Sequence, residues 1–436
     1  MADVVIVGGR LAGSATAMLL ARAGLDVLVL EQASFPCDTL SSHQLQVTGS
    51  ALIARWGLLD RLEATGAPPT RLMRFDAGPR TAVWGRVTAV DGVDAMYSPR
   101  RTVLDTLLVD AAREAGAKVR EGAIVEELTT EGSTVTGVRL RLKGGGRAVE
   151  RASLVIGADG KNSTVARAVG ARTVREAVPT TLATYAYWSG VPLDHGWMAS
   201  GRRLVFGAFP TNDDQVVTFL ARPVEALADH RADAQEALAA SLRTLREIGE
   251  RVLSGQRVGP IRATVDVPNR VLASAGPGWV LVGDAGLVMD PVTGQGMGNA
   301  LADAAALSDA VLRGFAGTTR LGTALRRYER QRNRARRPMF DFTVGLAQLR
   351  PPTAAEGRLF AAVADDPAAS EQFLAALAGV LPMDEFMSPA NIVRLVGLRG
   401  LAQLARSRPR RPRPAARVRR SGLGVAMRVP GRSQVR

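Results

Sequence analysis

The chain has 436 residues, enough for roughly two or three folding units. With 46% hydrophobic residues, 45 glycines and 23 prolines, it is neither a minimal module nor a disordered or collagenous chain. Its formal charge of +15 has the size of a nucleic-acid signature, yet eleven arginines and no acid lie between Arg406 and Arg436, leaving +4 for residues 1–405. The single cysteine, Cys37, excludes a disulfide framework and a cysteine-rich zinc site; no metal ligand set is assigned, and redox chemistry requires a borrowed cofactor.

Ala2-Asp3 leads directly into the apolar strand Val4 to Val7, without a charged leader, so secretion is not expected and a reducing, cytoplasmic compartment is. Gly8-Gly9-Arg10-Leu11-Ala12-Gly13 reads as a tight turn, Ser14 to Arg22 as a helix, and Val27 to Leu30 as a second buried strand ending in Glu31. This is a βαβ unit. Gly8 permits the sharp exit from the strand, Gly13 lets helix and sheet approach, and the free N–H groups of the first helical turn suit a pyrophosphate. Glu31 accepts hydrogen bonds from ribose hydroxyls and repels a 2′-phosphate, which favours FAD or NAD over NADP. Arg10 stands where the middle glycine of G-x-G-x-x-G is usual. Either its side chain turns away and leaves the N–H available, or its guanidinium joins in binding the anion. Arg22 and Asp26 interrupt the longest apolar stretch, so no membrane span is expected.

Leu72 to Tyr97 and Thr180 to Val267 carry strand-like runs, and their alternation suggests a sheet forming one wall of a pocket. Tyr185, Tyr187, Phe206 and Phe209 are candidates to line it, although aromatic alternation also serves ordinary sheet packing. Leu154 to Ile156 is a strand running into Gly157-Ala158-Asp159-Gly160 and a helix start. Val280 to Val282 is another, followed by Gly283-Asp284 and by Pro291-Val292-Thr293-Gly294-Gln295-Gly296-Met297-Gly298, which opens the helix Asn299 to Arg313. Ligands bind at the C-terminal edge of parallel sheets, so the turns near residues 8, 157 and 283 are expected to converge on one extended ligand. The last helix N-terminus favours negative charge on a reduced ring by on the order of 1 kcal/mol.

The ordered triplet resembles the FAD-dependent aromatic hydroxylase family typified by p-hydroxybenzoate hydroxylase, with geranylgeranyl-reductase-like enzymes nearby, over about residues 1 to 345. The resemblance implies an α/β chain: a Rossmann-like FAD-binding domain in three pieces (1–70, 98–176, 270–345), an inserted α+β substrate domain (71–97, 177–269), C-terminal helices (346–405) and a disordered Arg/Pro-rich tail (406–436). It implies that Gly8, Gly9, Arg10, Gly13 and Glu31 hold the ADP half of FAD, that Arg101 opens a helix near the cofactor, and that Val125 offers backbone to adenine. Asp159 and Gly160 match the Asp-Gly signature shared by FAD and a transient NAD(P)H. Gly283 and Asp284 match the site of the ribityl or ribose hydroxyls, and Pro291, Gly294, Gly296 and Met297 the segment beside the isoalloxazine. His43, in Thr39-Leu-Ser-Ser-His43-Gln44, falls where the family's loop passes the flavin, a candidate to bind substrate or relay a proton beside the plainer role of a satisfied structural histidine. Cys37 receives no role.

The implied activity is an FAD-dependent monooxygenase: NAD(P)H, directly or through a separate flavin reductase, reduces the flavin, O₂ adds as a C4a-hydroperoxide, and a small, largely apolar aromatic, polyketide or isoprenoid molecule is hydroxylated or epoxidised. A second dinucleotide fingerprint, a redox cysteine pair and the tryptophan and lysine signature of flavin halogenases are absent; the segment around Trp84 does not match that signature. The alternatives are a flavin reductase of isoprenoid double bonds and, from another class, a protein acting through its basic tail on nucleic acid, which is not the expected partner, or on an anionic membrane surface by peripheral contact. Thr318 and Thr319 are expected to cap a helix from Leu321 that Pro338 kinks or ends, with Arg332, Arg334, Arg336 and Arg337 on a solvated face. Ile392, Leu395, Val396, Leu398 and Leu401 form an apolar stripe near the C-terminus.

Overall fold

Two uninterrupted apolar runs, Ala2–Val7 and Val27–Glu31, pair in parallel because the helix Leu11–Arg22 carries the chain back over one sheet face. The computed structural model describes residues 1–407 apart from 40, 42, 79, 80 and 202. Among these, the first sheet has eight strands, in the order Ala275–Gly276, Trp279–Leu281, Arg147–Gly157, Ala2–Val7, Val27–Glu31 and Lys118–Glu121, with the hairpin Ala123–Glu131 and Thr134–Leu142 attached to Arg147–Gly157. Val7, Gly157 and Leu281 share one register at the C-terminal margin, which brings the three following turns side by side. Helices Leu11–Arg22, Arg101–Glu114 and Gly296–Phe315 pack over this sheet in one core with Val4, Ile6, Val29, Leu154 and Val280.

A second, seven-stranded sheet runs Gln256–Thr264, Thr181–Ser189, Gln215–Pro223, Leu204–Thr211, Gly196–Gly201, Leu72–Asp76 and Ala82–Arg86. Its alternation builds two cores. Met73, Phe75, Met198, Phe209 and Val217 meet the C-terminal helices Ala354–Asp365, Pro367–Leu377 and Met383–Phe386, where Phe373 lies 5.1 Å from Phe75 and 5.6 Å from Phe386 between ring centres. Ala186, Trp188, Phe206 and Leu220 face the other way, under Ala234–Arg243 and Arg246–Ser254. A three-stranded sheet, Leu287–Val288, Asn269–Leu272 and Thr173–Ala177, lies beside them.

The C-terminal half departs from expectation in four places. The helix Leu321–Leu346 runs through Pro338, since Met339, Phe340 and Thr343 are buried beyond it and their packing offsets the lost hydrogen bond. Its N-cap is Arg320, without a side-chain cap, while the Thr318 hydroxyl bonds back to the Arg313 carbonyl. Arg332 is buried and Arg336 pairs with the buried Asp303 of the neighbouring helix, so these two arginines leave the solvated face. Along Pro389–Ser407, Ile392, Leu395, Val396 and Leu401 pack on the second core, but Leu398 is 74% exposed beside the break in the helix at Gly397 (φ 70°, ψ 174°). Arg406 still belongs to this helix; the remaining tail, expected to be disordered, lies outside the described residues. No helix among the described residues is long and apolar enough to cross a membrane.

Candidate functional site

The first turn is shaped by exclusion. Gly8 has φ +99°, and a methyl group on it would lie 2.5 Å from the Ala158 carbonyl oxygen; one on Gly13 would overlap the Gly8 carbonyl outright. The helix therefore starts as close to the sheet as backbone permits, and neither Arg10 at its N-cap nor any other side chain caps it. The Gly9 amide donates to Glu31 Oε2 at 2.7 Å and the Ala33 amide to Oε1 at 2.8 Å, which locks the buried Glu31 at the end of its strand.

Arg10 sends its guanidinium to Asp105 (3.1 Å), to Cys37 Sγ (3.2 Å) and to the Asp38 carbonyl (3.3 Å). Arg101, first residue of its helix, grips the same carboxylate with Nε and Nη2 at 2.9 to 3.1 Å. The Asp105 side chain has no exposure, so two guanidinia share one buried carboxylate beside the turn. Breaking such a cluster leaves buried charge uncompensated. Asp105→Asn is expected to lower stability by about 3 to 5 kcal/mol and to release bound flavin, read by thermal unfolding and by the flavin-to-protein absorbance ratio.

Asp159 ends the second strand as a helix cap: it accepts from Ser163 Oγ (2.5 Å) and from the Thr164 and Val165 amides (2.6 and 3.2 Å), and its Cα lies 3.0 Å from where a Gly8 methyl would sit. Burial holds its pKa above the usual carboxylate range despite those bonds. Gly160 follows at φ +76°. Val125 packs with Val7 and Leu30 at the base of the hairpin. Gly283 begins the third turn, 2.9 Å from the Ala12 methyl if it bore its own. Asp284 differs from the other acids: it is exposed at the end of its strand, and among the described residues no protein donor bonds to it. Confinement raises its pKa to about 6, against the pull of Arg101 and Lys161.

Pro291 opens a short turn capped by the buried Asp290, which accepts from Val292 N (3.1 Å) and Thr181 Oγ1, while Gly294 takes a left-handed conformation (φ 64°). Gly296 is exposed at the uncapped start of its helix, and the Met297 side chain is buried in the first core. Burial raises the Asp290 pKa to about 6. An acid raised in the folded state costs stability as pH rises from its unfolded value through its folded one, here from about 4 to about 6, by up to about 3 kcal/mol. Asp290→Asn keeps an oxygen for the Val292 amide. Its melting temperature is expected to vary less than that of the unmodified chain between these pH values, and to be no lower at neutral pH.

His43 is fully buried at φ 59°. Its Nδ1 donates to the Ser41 carbonyl (2.7 Å), so Nε2 accepts the Tyr187 hydroxyl (2.7 Å), and the Ser41 amide donates to Tyr185 Oη (2.9 Å). Burial, then Arg101, pushes the His43 pKa down to about 4. The neutral ring positions the Tyr187 hydroxyl, over whose ring the Arg100 guanidinium stacks at 4.7 Å. Phe209 shares the face of Tyr187, whereas Phe206 lies on the opposite face and lines no common pocket, because strand neighbours three apart point oppositely.

Sequence reasoning passed over Gln44 and Gln46, two apart beside His43. Both bracket Gly294, whose absent methyl would meet Gln44 Oε1 at 2.5 Å and Gln46 Nε2 at 3.3 Å. With Met73, Met96, Met198 and Leu374 they line a narrow cavity of about 20 Å³, closed on the far side by the helix Pro367–Leu377. Gln295 ties that helix to the glycine loop through Leu377 O at 2.8 Å. Alternation of the two glutamines was the available signal; the helical wall had none.

A glycine cradle, an uncapped helix start and an exposed carboxylate with no partner among the described residues suit a dinucleotide with a hydroxylated chain, and with the fold they define an FAD-dependent oxidoreductase. The chain belongs to the FAD binding domain family, which matches residues 1–343. It is 30% identical over 314 residues to the menaquinone reductase of Mycolicibacterium smegmatis, covering 68% of this chain and 73% of that protein. In fold it resembles the flavin-dependent brominase Bmp2 (TM-score 0.77, 18% identity, 93% of this chain and 100% of that one). It also resembles PqsL, described as a probable FAD-dependent monooxygenase from Pseudomonas aeruginosa (TM-score 0.66, 20% identity, 86% and 99%).

Proposed function

We propose that the protein is a monooxygenase that inserts one oxygen atom of O₂ into a small, largely apolar molecule, with NAD(P)H as the transient reductant, directly or through a separate reductase. The observation that supports this reading is the convergence of the Gly8, Asp159 and Gly283 turns on one sheet margin, in a chain that matches the FAD binding domain family. FAD supplies a hydride acceptor and a centre for activating O₂. Gly8, Gly9, Gly13 and Glu31 would hold its ADP half, and Asp284 would accept hydroxyls of the chain between phosphate and ring. The free amides at Gly296 and Met297 favour negative charge near the ring by on the order of 1 kcal/mol. His43 fixes the hydroxyl of Tyr187, and Met73, Met96, Met198 and Leu374, with Gln44 and Gln46, line a gap beside Gly294 that has room for about one water and that a substrate would have to widen.

A second reading, reduction of an apolar quinone or isoprenoid, is favoured by the 30% identity to a menaquinone reductase. A halogenase has less support in the site: Lys118 lies on a sheet-edge strand, Lys143 in a hairpin turn and Lys161 beside Asp266, none of them lining the cavity. Holoprotein supplied with NADH or NADPH and a panel of aromatic, polyketide and isoprenoid compounds separates the three. O₂ uptake matched to a product one oxygen heavier is expected. A product two hydrogens heavier formed without O₂, or one that requires halide, would overturn the reading.

A further inference from the structure

On the sheet face turned away from Tyr185 and Tyr187, a groove of about 630 Å³ opens between the strand ends at Leu204 and Arg222 and the helices Leu227–Ala232 and Ala234–Arg243. Arg222 continues the row of Thr218 and Leu220 on that face and is only 8% exposed. Its Nη1 donates to the Ala237 carbonyl at 3.1 Å, but Nε and Nη2 have no partner. Those two N–H groups form one edge of the guanidinium, the edge that meets an oxyanion with two parallel bonds. Leaving them unpaired in a buried position is unfavourable, and an oxyanion in the groove removes that cost.

The rest of the lining narrows the chemistry. Ala226, Ala232, Ala240 and Pro223 present apolar surface. Of the acids, Asp233 is committed to the amides of Gln235 and Glu236, and Glu236 pairs with Arg243. Asp229 remains, its charge acting on Arg222 without a bond to it. We propose that this groove is a second small-molecule site, separate from the flavin cleft, that binds an apolar carboxylate through two parallel hydrogen bonds from Arg222, with Asp229 as the internal competitor.

Calorimetry on FAD-loaded full-length protein tests this with naphthoate, its neutral isostere naphthamide, and inorganic phosphate. Naphthoate is expected to bind without changing the flavin spectrum, and naphthamide not to bind. Arg222→Lys, which keeps the charge and loses the paired edge, is expected to weaken naphthoate by roughly tenfold or more. Asp229→Asn removes the competing carboxylate and is expected to tighten it severalfold, a gain that a folding defect cannot mimic. Equal binding of naphthamide, tighter binding of phosphate, a matching change in the flavin spectrum, no heat with naphthoate, or weaker binding in Asp229→Asn each overturns the proposal.

Discussion

Replacing Asp284 with alanine is expected to yield a protein that loses its yellow colour on desalting. The strand Trp279–Leu281 delivers this carboxylate to the sheet margin shared with the Gly8 and Asp159 turns, and the fold leaves it exposed with no protein donor among the described residues. Confinement of an ionisable group without a partner is unfavourable, and Arg101 and Lys161 offset it only from a distance. We propose that ligand hydroxyls complete the site. A hydrogen bond to a charged acceptor contributes about 1.5 to 3 kcal/mol, so the alanine variant should bind FAD roughly tenfold to a hundredfold more weakly. Titration of apoprotein with FAD, followed by flavin fluorescence, measures this. The sign with pH follows from the same carboxylate: in apoprotein its pKa is about 6, and below that value the protonated group is the weaker acceptor. FAD affinity should therefore fall as pH drops through about 6 in the unmodified chain and stay flatter in the variant. Full flavin retention by Asp284→Ala would show that the cleft carboxylate is not a ligand.

Gly13→Ala should be nearly as damaging for a steric reason. Its methyl group meets the Gly8 carbonyl on one side and the Ala158 methyl, 3.3 Å away, on another, and the first contact is backbone that no rotamer change can clear. Helix Leu11–Arg22 must lift from the sheet, which disturbs the core shared with Val4, Ile6 and Val29 and moves the helix N-terminus. Overpacking of this kind costs about 1 to 3 kcal/mol or more, and flavin binding is lost with it. Gly357 is the control: it lies in the helix Ala354–Asp365 with open space around it, so Gly357→Ala is expected to be neutral or to stabilise by about 0.5 to 1 kcal/mol. Parallel thermal melts and flavin content of the two variants compare them.

The fold class was legible from the start of the chain, since buried parallel strands read as continuous apolar runs and the glycines sit where strand meets helix. The partners of the arginines were not. Asp105 stands four residues after Arg101, a helical spacing visible in the sequence, but that Arg10 shares its carboxylate depends on a contact across 95 positions. Phe206 shows the limit of counting aromatics: parity along the strand separates it from Phe209, yet which face meets the C-terminal helices is decided by what those helices cover. Arg332 and Arg336 looked solvated within an arginine-rich helix until the buried Asp303 of another helix gave Arg336 an ion-pair partner and Ser274 gave Arg332 a buried acceptor.

Local physics, written in short stretches of sequence, determined the βαβ opening and the two further strand-to-turn passages. These follow from apolar runs and from glycines that no side chain can replace. The tertiary structure alone decided that Asp284 is left without a partner among the described residues while Asp159 and Asp290 become caps, that His43 is held neutral against Tyr187, and that the C-terminal helices wall the cavity beside Gln44 and Gln46. Each of these depends on which distant groups arrive at one place, and desolvation and hydrogen-bond satisfaction are properties of that assembled neighbourhood, not of any segment within it.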